Sequence, residues 1–163
     1  MRERLLALTS TEEFRKVKVL GRGGSSVVYQ AELLRQDGTN VDGFVAVKEI
    51  SLDGQTEQQI EALKGEFNGT SDLRHDNIIE YYCMHQFGES LFIFLEFADR
   101  GSLRQFYQKR GALTEGQACN CITQILKGLS YLHSMGITHR DVKGGIDTIQ
   151  YIYTCVFTIV REY

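Results

Sequence analysis

The stretch VKVLGRGGSSVVYQAELL, residues 17–34, decides the fold, because two strand-like segments flank a cluster of glycines. Apolar, β-prone residues on both sides of a glycine turn predict an antiparallel hairpin. A third strand-like segment, FVAVKEI at residues 44–50, follows a turn that contains Asp37 and Gly38. The three segments together predict an antiparallel meander.

A helical segment and two further strand-like segments extend this sheet. A helix is predicted between Thr56 and Leu73, with one apolar face formed by Ile60, Leu63 and Phe67. Strands are predicted at IIEYYCMH, residues 78–85, and at LFIFLEF, residues 91–97, joined by a turn at Gly88. The sequence therefore predicts about five strands with one inserted helix.

Beyond Arg100 the periodicity becomes helical. Two capping boxes predict helix starts at Ser102 and Thr114, each with a glutamine three residues later, Gln105 and Gln117. The second helix is predicted to run to Gly136, and its apolar stripe is interpreted as core: Ala118, Ile122, Ile125, Leu126, Leu129 and Leu132. A strand-rich lobe followed by helices is an α+β arrangement, in which a crevice between the two parts is expected.

Net charge, the length of apolar runs and cysteine spacing indicate which partners and which location to expect. The 163 residues carry a formal net charge of -3, which does not favour a nucleic-acid partner. The longest apolar run, residues 151–160, has about half the length of a membrane-spanning helix, so no membrane association is predicted. The cysteines show neither a CxxC pair nor zinc spacing, which indicates reduced thiols and a cytoplasmic location: Cys83, Cys119, Cys121 and Cys155.

Candidate chemistry begins at the glycine turn, GRGGSSVVY at residues 21–29. Without side chains, its backbone N–H groups can approach phosphate oxygens, although a plain turn is the simpler interpretation.

The later strand can bring Lys48 beside Val28, with Ala46 on the same face. A lysine there can pair with nucleotide phosphates. Glu66, near the edge of the helix's apolar face, is a candidate partner for Lys48, and a solvated surface pair is the alternative.

A second candidate group is HRD, residues 139–141, which follows the predicted end of a helix. Asp141 on such a loop can accept a proton from a substrate hydroxyl, and Lys143 can stabilise a phosphoryl group in transfer. A charged tripeptide after a helix is also typical of a solvated loop. Neither the glycine turn nor HRD is sufficient alone.

In their order and spacing, GRGGSSVVY, VAVK, a helix glutamate, NII, LEF and HRDVK resemble the eukaryotic protein kinase domain over about residues 14–145. Lys143, two residues after Asp141, matches the serine/threonine pattern. The segments 91–115 and 139–145 are similar to the mitogen-activated protein kinase kinase kinase group. The rival interpretation is an unrelated nucleotide-binding or scaffold domain.

The resemblance implies a five-stranded antiparallel N-lobe with one helix, plus the first helices of an incomplete helical C-lobe. It implies ATP with Mg²⁺ as cofactors and protein substrates, namely downstream kinases. It makes Asp141 the catalytic base with Lys143 beside it, Glu66 the partner of Lys48, and Leu95 the gatekeeper. The implied ATP-binding residues are Leu20, Gly21, Arg22, Gly23, Gly24, Ser25, Ser26, Val27, Val28, Ala46, Lys48, Glu96 and Ala98.

The sequence also departs from the family pattern. Ser26 replaces the third loop glycine, while Gly69 and Thr70 replace apolar helix residues. Ile146 stands where the family has a metal-binding asparagine, and no DFG follows, so neither family magnesium ligand is present and negligible kinase activity is predicted. The alternative function is that of a non-catalytic truncated isoform which competes for partners.

The resemblance and its departures together predict four segments along the chain. Residues 1–13 form an N-terminal extension, 14–97 the N-lobe, 98–145 a partial C-lobe, and 146–163 a divergent tail. The tail is β-prone and apolar, which is a hazard for aggregation. We interpret the tail as the product of a translated intron or of a frame change. A genuine alternative end of the protein is the rival interpretation.

Overall fold

The computed structural model describes residues 1–35, 43–69, 71–99 and 108–139, except for the side chain of Glu66. The chain divides into two compact units. Unit 1 comprises Met1–Ser71 and Tyr81–Phe97, and unit 2 comprises Asp72–Glu80 and Ala98–Tyr163. The predicted turn at Asp37, the predicted helix start at Ser102 and Cys155 lie outside the described residues.

Unit 1 is built on an antiparallel sheet of five strands. The strands lie in the order β1-β2-β3-β5-β4, and their bounds are β1 Phe14–Arg22, β2 Ser26–Leu33, β3 Val45–Ser51, β4 Tyr81–Phe87 and β5 Ser90–Glu96. The predicted fold class is confirmed. The predicted start of the fourth strand at residue 78 is wrong, because a hydrogen-bonded turn from Ile78 N–H to His75 O precedes it and Ile78 is buried in unit 2.

Strand alternation gives this sheet two distinct faces. The core face carries an apolar cluster that includes Val45 and Val47 of β3 with Phe92 and Phe94 of β5. The opposite surface, termed the Lys48 face, carries Val28, Ala46, Lys48, Ile93 and Leu95. The sheet therefore separates the main core of unit 1 from Val28, Ala46 and Lys48, three of the predicted nucleotide-binding residues.

The first thirteen residues are part of unit 1. Helix α1, Arg2–Leu6, packs on β4, and both Leu5 and Leu8 are buried in the cluster of the core face. The side chain of Arg4 donates to Leu34 O, and His85 Nε2 lies 2.7 Å from Leu5 O. Since a five-residue helix is unstable alone, these contacts hold it in place. The segment predicted as an extension thus completes the core.

Helix α2, Glu57–Asn68, follows β3 and begins with a capping box between Thr56 and Gln59. Ile60, Leu63 and Phe67 are only half-buried, and none of the helix's described residues is fully buried. The predicted extension of this helix to Leu73 is wrong. The helix ends at Asn68, followed by the C-cap Gly69, whose low helix propensity favours termination, and Leu73 is buried in unit 2.

Unit 2 contains helix α3, Glu115–Ser134, and the loop Asp72–Glu80. The predicted capping box of Thr114 and Gln117 is present. The helix ends in a Schellman motif, in which Gly136 has φ 74° and Ile137 N–H donates to Leu132 O at 2.9 Å. Within the described ranges, no helix is both long and apolar enough to cross a membrane.

The loop Asp72–Glu80 packs against the second half of α3. The Arg74 N–H donates to the Tyr131 hydroxyl at 3.1 Å, and the His75 ring stacks on Tyr131. An ideal Cβ at Gly128 would lie 2.9 Å from Asn77 O, so the loop backbone approaches the helix closely. Leu132, in the same half of α3, is completely buried.

The predicted burial of the whole α3 stripe is wrong for two of its members. Ile122 is 55% exposed and Leu126 is 59% exposed. The loop Asp72–Glu80 contacts α3 at Gln124, Gly128 and Tyr131, on a side of the helix that includes neither residue. An amphipathic pattern shows which residues favour burial, but a packing partner must also reach them.

Candidate functional site

The strand register brings predicted site residues together on the Lys48 face. Val28 of β2 and Ile93 of β5 are the direct cross-strand partners of Lys48. In the adjacent row, Ala46 pairs with Leu95. Ala46 and Leu95 are buried, whereas Val28 and Lys48 are half-buried. Of the five residues that define the Lys48 face, four are apolar and the fifth, Lys48, is a cation.

The glycine turn connects β1 and β2 at the end of this face. Gly23 N–H donates to Ser26 O at 2.8 Å, and Ser51 N–H donates to Ser25 O at 3.0 Å. These bonds close the hairpin and attach its tip to the end of β3. The N–H of Gly23 is thus used within the turn, and the other predicted phosphate contacts of the loop stay a prediction.

The fold itself does not require glycine at positions 21 and 24. Neither residue has a positive φ, and an ideal Cβ at either position would meet nothing within 4 Å. At Gly23 a Cβ would lie 3.0 Å from the hydroxyl of Ser26. Open space at a glycine with ordinary backbone geometry fits close approach by something outside the chain, such as a ligand.

Of the other predicted pocket residues, Arg22, Val27 and Glu96 share the register of the core face and not that of the Lys48 face. Leu20 is exposed on β1, where the register shifts between Val19 and Gly21. Glu96 is the last residue of β5 and pairs with Val45. Ala98 is half-buried and belongs to unit 2. Arg22 ends β1 and pairs with Val27.

Lys48 faces an aromatic side chain that the sequence did not single out as functional. Its ammonium lies 6.0 Å from the centroid of the Phe67 ring, in the last turn of α2. The sequence pattern placed Phe67 only on the apolar face of the helix, next to Glu66. The pairing of Lys48 with Glu66 stays a prediction, because the Glu66 side chain lies outside the described residues.

The predicted catalytic residues Asp141 and Lys143 also lie outside the described residues. His139, the first residue of HRD, is described and is buried in unit 2. Among the described residues, no group of three or more His, Cys, Asp or Glu side chains that could hold a metal ion occurs. The structure thus describes the nucleotide side of the predicted site and not its catalytic loop.

Burial strongly raises the pKa values of two titratable groups of β4. Desolvation raises the pKa of the Tyr81 hydroxyl to about 12, and it raises the pKa of the Cys83 thiol to about 12 as well. Both groups are therefore protonated at neutral pH. Cys83 belongs to the core cluster and Tyr81 pairs with Leu95, so neither is suited to act as a nucleophile or a base. Cys83, Cys119 and Cys121 are free cysteines.

Comparison with known proteins identifies the class. The family model of the protein kinase domain matches residues 14–145. The chain therefore belongs to the protein kinase family. It is 40% identical over 134 residues to mitogen-activated protein kinase kinase kinase 1 of Arabidopsis thaliana, covering 80% of this chain and 21% of that protein.

Two other relatives are also matched over only part of their own length. Human mitogen-activated protein kinase kinase kinase 3 is 36% identical over 136 residues, covering 80% of this chain and 21% of that protein. Cell division control protein 7 of Schizosaccharomyces pombe is 34% identical over 125 residues, covering 77% of this chain and 11% of that protein. The predicted resemblance is confirmed, and the chain spans about a fifth or less of the length of these relatives.

Proposed function

We propose that this chain binds ATP on the Lys48 face and represents the nucleotide-binding part of a serine/threonine protein kinase of a mitogen-activated protein kinase cascade. The proposal is supported by membership of the protein kinase family and by relatives named mitogen-activated protein kinase kinase kinases. Its expected protein substrates are downstream kinases. The expected location is cytoplasmic.

One structural observation carries the nucleotide proposal. The register aligns Val28, Lys48 and Ile93 in one row, beside a glycine turn with open space at Gly24. An apolar surface with one cation suits a ligand that has a flat hydrophobic part and an anionic part. ATP has both features, because its adenine is aromatic and its triphosphate is negatively charged.

Each group has a definite part in this proposal. Val28, Ala46 and Leu95 offer apolar contact to adenine, and backbone groups of Glu96 offer hydrogen bonds to its edge. The ammonium of Lys48 binds phosphate oxygens by charge-assisted hydrogen bonds. Open space at Gly21 and Gly24 lets phosphates approach the backbone. Mg²⁺ neutralises phosphate charge in the family. Among the described residues, no cluster of His, Cys, Asp or Glu side chains could hold this ion.

Phosphoryl transfer by this chain is expected to be negligible. Ile146 stands where the family has a metal-binding asparagine, and its aliphatic side chain offers no ligand atom. Transfer depends on positioning and on charge neutralisation, so loss of a metal ligand lowers the rate by orders of magnitude. We expect phosphorylation of a generic substrate to be no faster than with Asp141→Ala. A rate that falls on Asp141→Ala would contradict this.

Nucleotide binding is tested by thermal unfolding of the full chain with and without MgATP. Ligand at about ten times its Kd stabilises the folded state by about 1.4 kcal/mol, which is a shift of several degrees for a unit of this size. We expect Lys48→Ala to abolish the shift. Lys16→Ala is the matched control, because Lys16 contacts Glu49, Tyr29 and Phe92 of the core face and should leave the shift intact.

Equal shifts in both lysine variants would refute the assignment to the Lys48 face. A chain that unfolds cooperatively at the same temperature with and without nucleotide would refute ATP binding. That result would favour the alternative function, a non-catalytic module that competes for partners.

A further inference from the structure

The last turn of α2 directs an aromatic ring toward the lysine of the candidate site. The Lys48 ammonium lies 6.0 Å from the Phe67 ring centroid. At this distance the ring quadrupole attracts a cation, and the attraction strengthens as water is displaced. Lys48 and Phe67 are both half-buried, so the contact is partly desolvated.

This contact also links two separate elements of unit 1. Lys48 is fixed in the middle of β3 by pairing with Val28 and Ile93. Phe67 belongs to α2, a helix whose other apolar face residues, Ile60 and Leu63, are only half-buried. Apolar burial alone therefore anchors α2 weakly, and an electrostatic contact contributes relatively more to its position.

The other face of the sheet provides an internal comparison. The ammonium of Lys16 lies 4.7 Å from the Tyr29 ring centroid and 5.2 Å from that of Phe92, and 2.7 Å from Glu49 Oε2. Its two rings come from β2 and β5 of the same sheet, so their positions are set by the sheet. The ring beside Lys48 comes from a helix, and its position changes if the helix moves.

We propose that Phe67 is a positioning residue for Lys48. Its ring holds the ammonium over the Lys48 face, where the phosphates of ATP would meet it, and this couples the last turn of α2 to nucleotide affinity. The inference rests on the proposed ATP site for its consequence. The contact between Phe67 and Lys48 does not depend on ATP.

The contact is tested first without nucleotide, by acetylation of the full chain with sulfo-NHS-acetate and mass spectrometry of the labelled lysines. This reagent reacts with the neutral amine, so a ring that stabilises and covers the ammonium slows the reaction. We expect Phe67→Leu to raise the labelling rate of Lys48 about two- to five-fold. Lys16 serves as the internal reference, and its rate should not change.

Two further variants separate positioning from a merely structural role. Phe67→Tyr keeps a ring at the position, so Lys48 should react as slowly as in the natural chain. Ile60→Ala weakens the packing of the same helix two turns earlier and leaves the ring in place, so it should not raise the Lys48 rate. Equal labelling in Phe67→Leu and Phe67→Tyr would overturn the proposal. So would a rate increase in Ile60→Ala as large as that in Phe67→Leu.

The consequence for nucleotide binding is tested by titration with MgATP. We expect Phe67→Leu to raise the Kd about two- to five-fold and Phe67→Tyr to retain the natural value. If Phe67→Leu binds as tightly as the natural chain, the positioning role is refuted, whatever the labelling shows. If the natural chain binds no MgATP, the proposed function fails, and the labelling rates still decide whether Phe67 holds Lys48.

Discussion

Two helices of this protein contain glycines whose replacement by alanine should have opposite effects. Gly65 lies inside α2, where an ideal Cβ would meet nothing within 4 Å. Gly128 lies inside α3, where an ideal Cβ would lie 2.9 Å from Asn77 O and 3.6 Å from Asn77 Cβ. The same substitution therefore adds a methyl group to open space in one helix and against backbone in the other.

The expected magnitudes follow from helix propensity and packing. Alanine in place of glycine stabilises a helix interior by about 1 kcal/mol. Gly65→Ala should show this gain in full. At Gly128 the Asn77 carbonyl belongs to the loop Asp72–Glu80 and has to move, and overpacking of this kind costs about 1–3 kcal/mol. Gly128→Ala should thus range from neutral to about 2 kcal/mol destabilising.

Native-state hydrogen exchange with mass spectrometry measures these effects locally, which suits a chain of two units. We expect slower amide exchange in α2 for Gly65→Ala and equal or faster exchange in α3 for Gly128→Ala. Gly116→Ala is the control within α3, because a Cβ there would also meet nothing within 4 Å. If Gly128→Ala slows exchange in α3 as much as Gly116→Ala does, the inferred contact with Asn77 is refuted.

Three further predictions test unit 1 and its thiols. Leu5→Ala should destabilise the protein by about 2–5 kcal/mol in urea unfolding, because Leu5 is fully buried; a loss below about 1 kcal/mol would show that the N-terminal segment does not complete the core. At pH 8, iodoacetamide should alkylate exposed Cys119 and spare Cys83, whose thiol has a pKa of about 12, until denaturant is added; alkylation of both thiols at one rate in the folded protein would contradict the burial. Hydrogen bonds from the backbone and side chain of Thr9 lower the pKa of Glu13 below its usual value, so this carboxylate contributes stability that is present above its unfolded pKa and lost as the pH falls through the lower folded pKa. Unfolding of Glu13→Gln should accordingly depend less on pH across the acidic range, and an unchanged pH profile would count against the hydrogen bonds from Thr9 to Glu13.

The N-terminal segment shows one limit of reasoning from sequence. LLAL at residues 5–8 is short and precedes the first recognisable strand, so it carries no periodicity long enough to predict a buried helix. The structure buries Leu5 and Leu8 against strands that lie far along the chain. Burial of such a segment is decided by the shape of the core face, which the local sequence does not contain.

The apolar stripe of α3 shows a second limit, because its pattern predicted more burial than the structure shows. Its periodicity predicted a helix correctly, and the capping box at Thr114 located its start. The same pattern predicted burial of Ile122 and Leu126, which are exposed. Helix formation depends on interactions within a few residues, whereas burial depends on what else packs against the helix.

For the candidate site too, some features follow from short segments of sequence and others depend on tertiary contacts. Its residue types were evident from the sequence, because the glycine turn, the VAVK strand and the order of the motifs all appear within short segments. The sequence by itself determined the number and order of the strands, the start of α3 at its Thr114 cap and the family, since these depend on local propensity and spacing. Only the tertiary structure decided that Val28 lies opposite Lys48, that Phe67 faces its ammonium, and that Gly128 meets Asn77. These contacts join residues far apart along the chain, and their geometry is set by strand register and packing rather than by neighbouring residues.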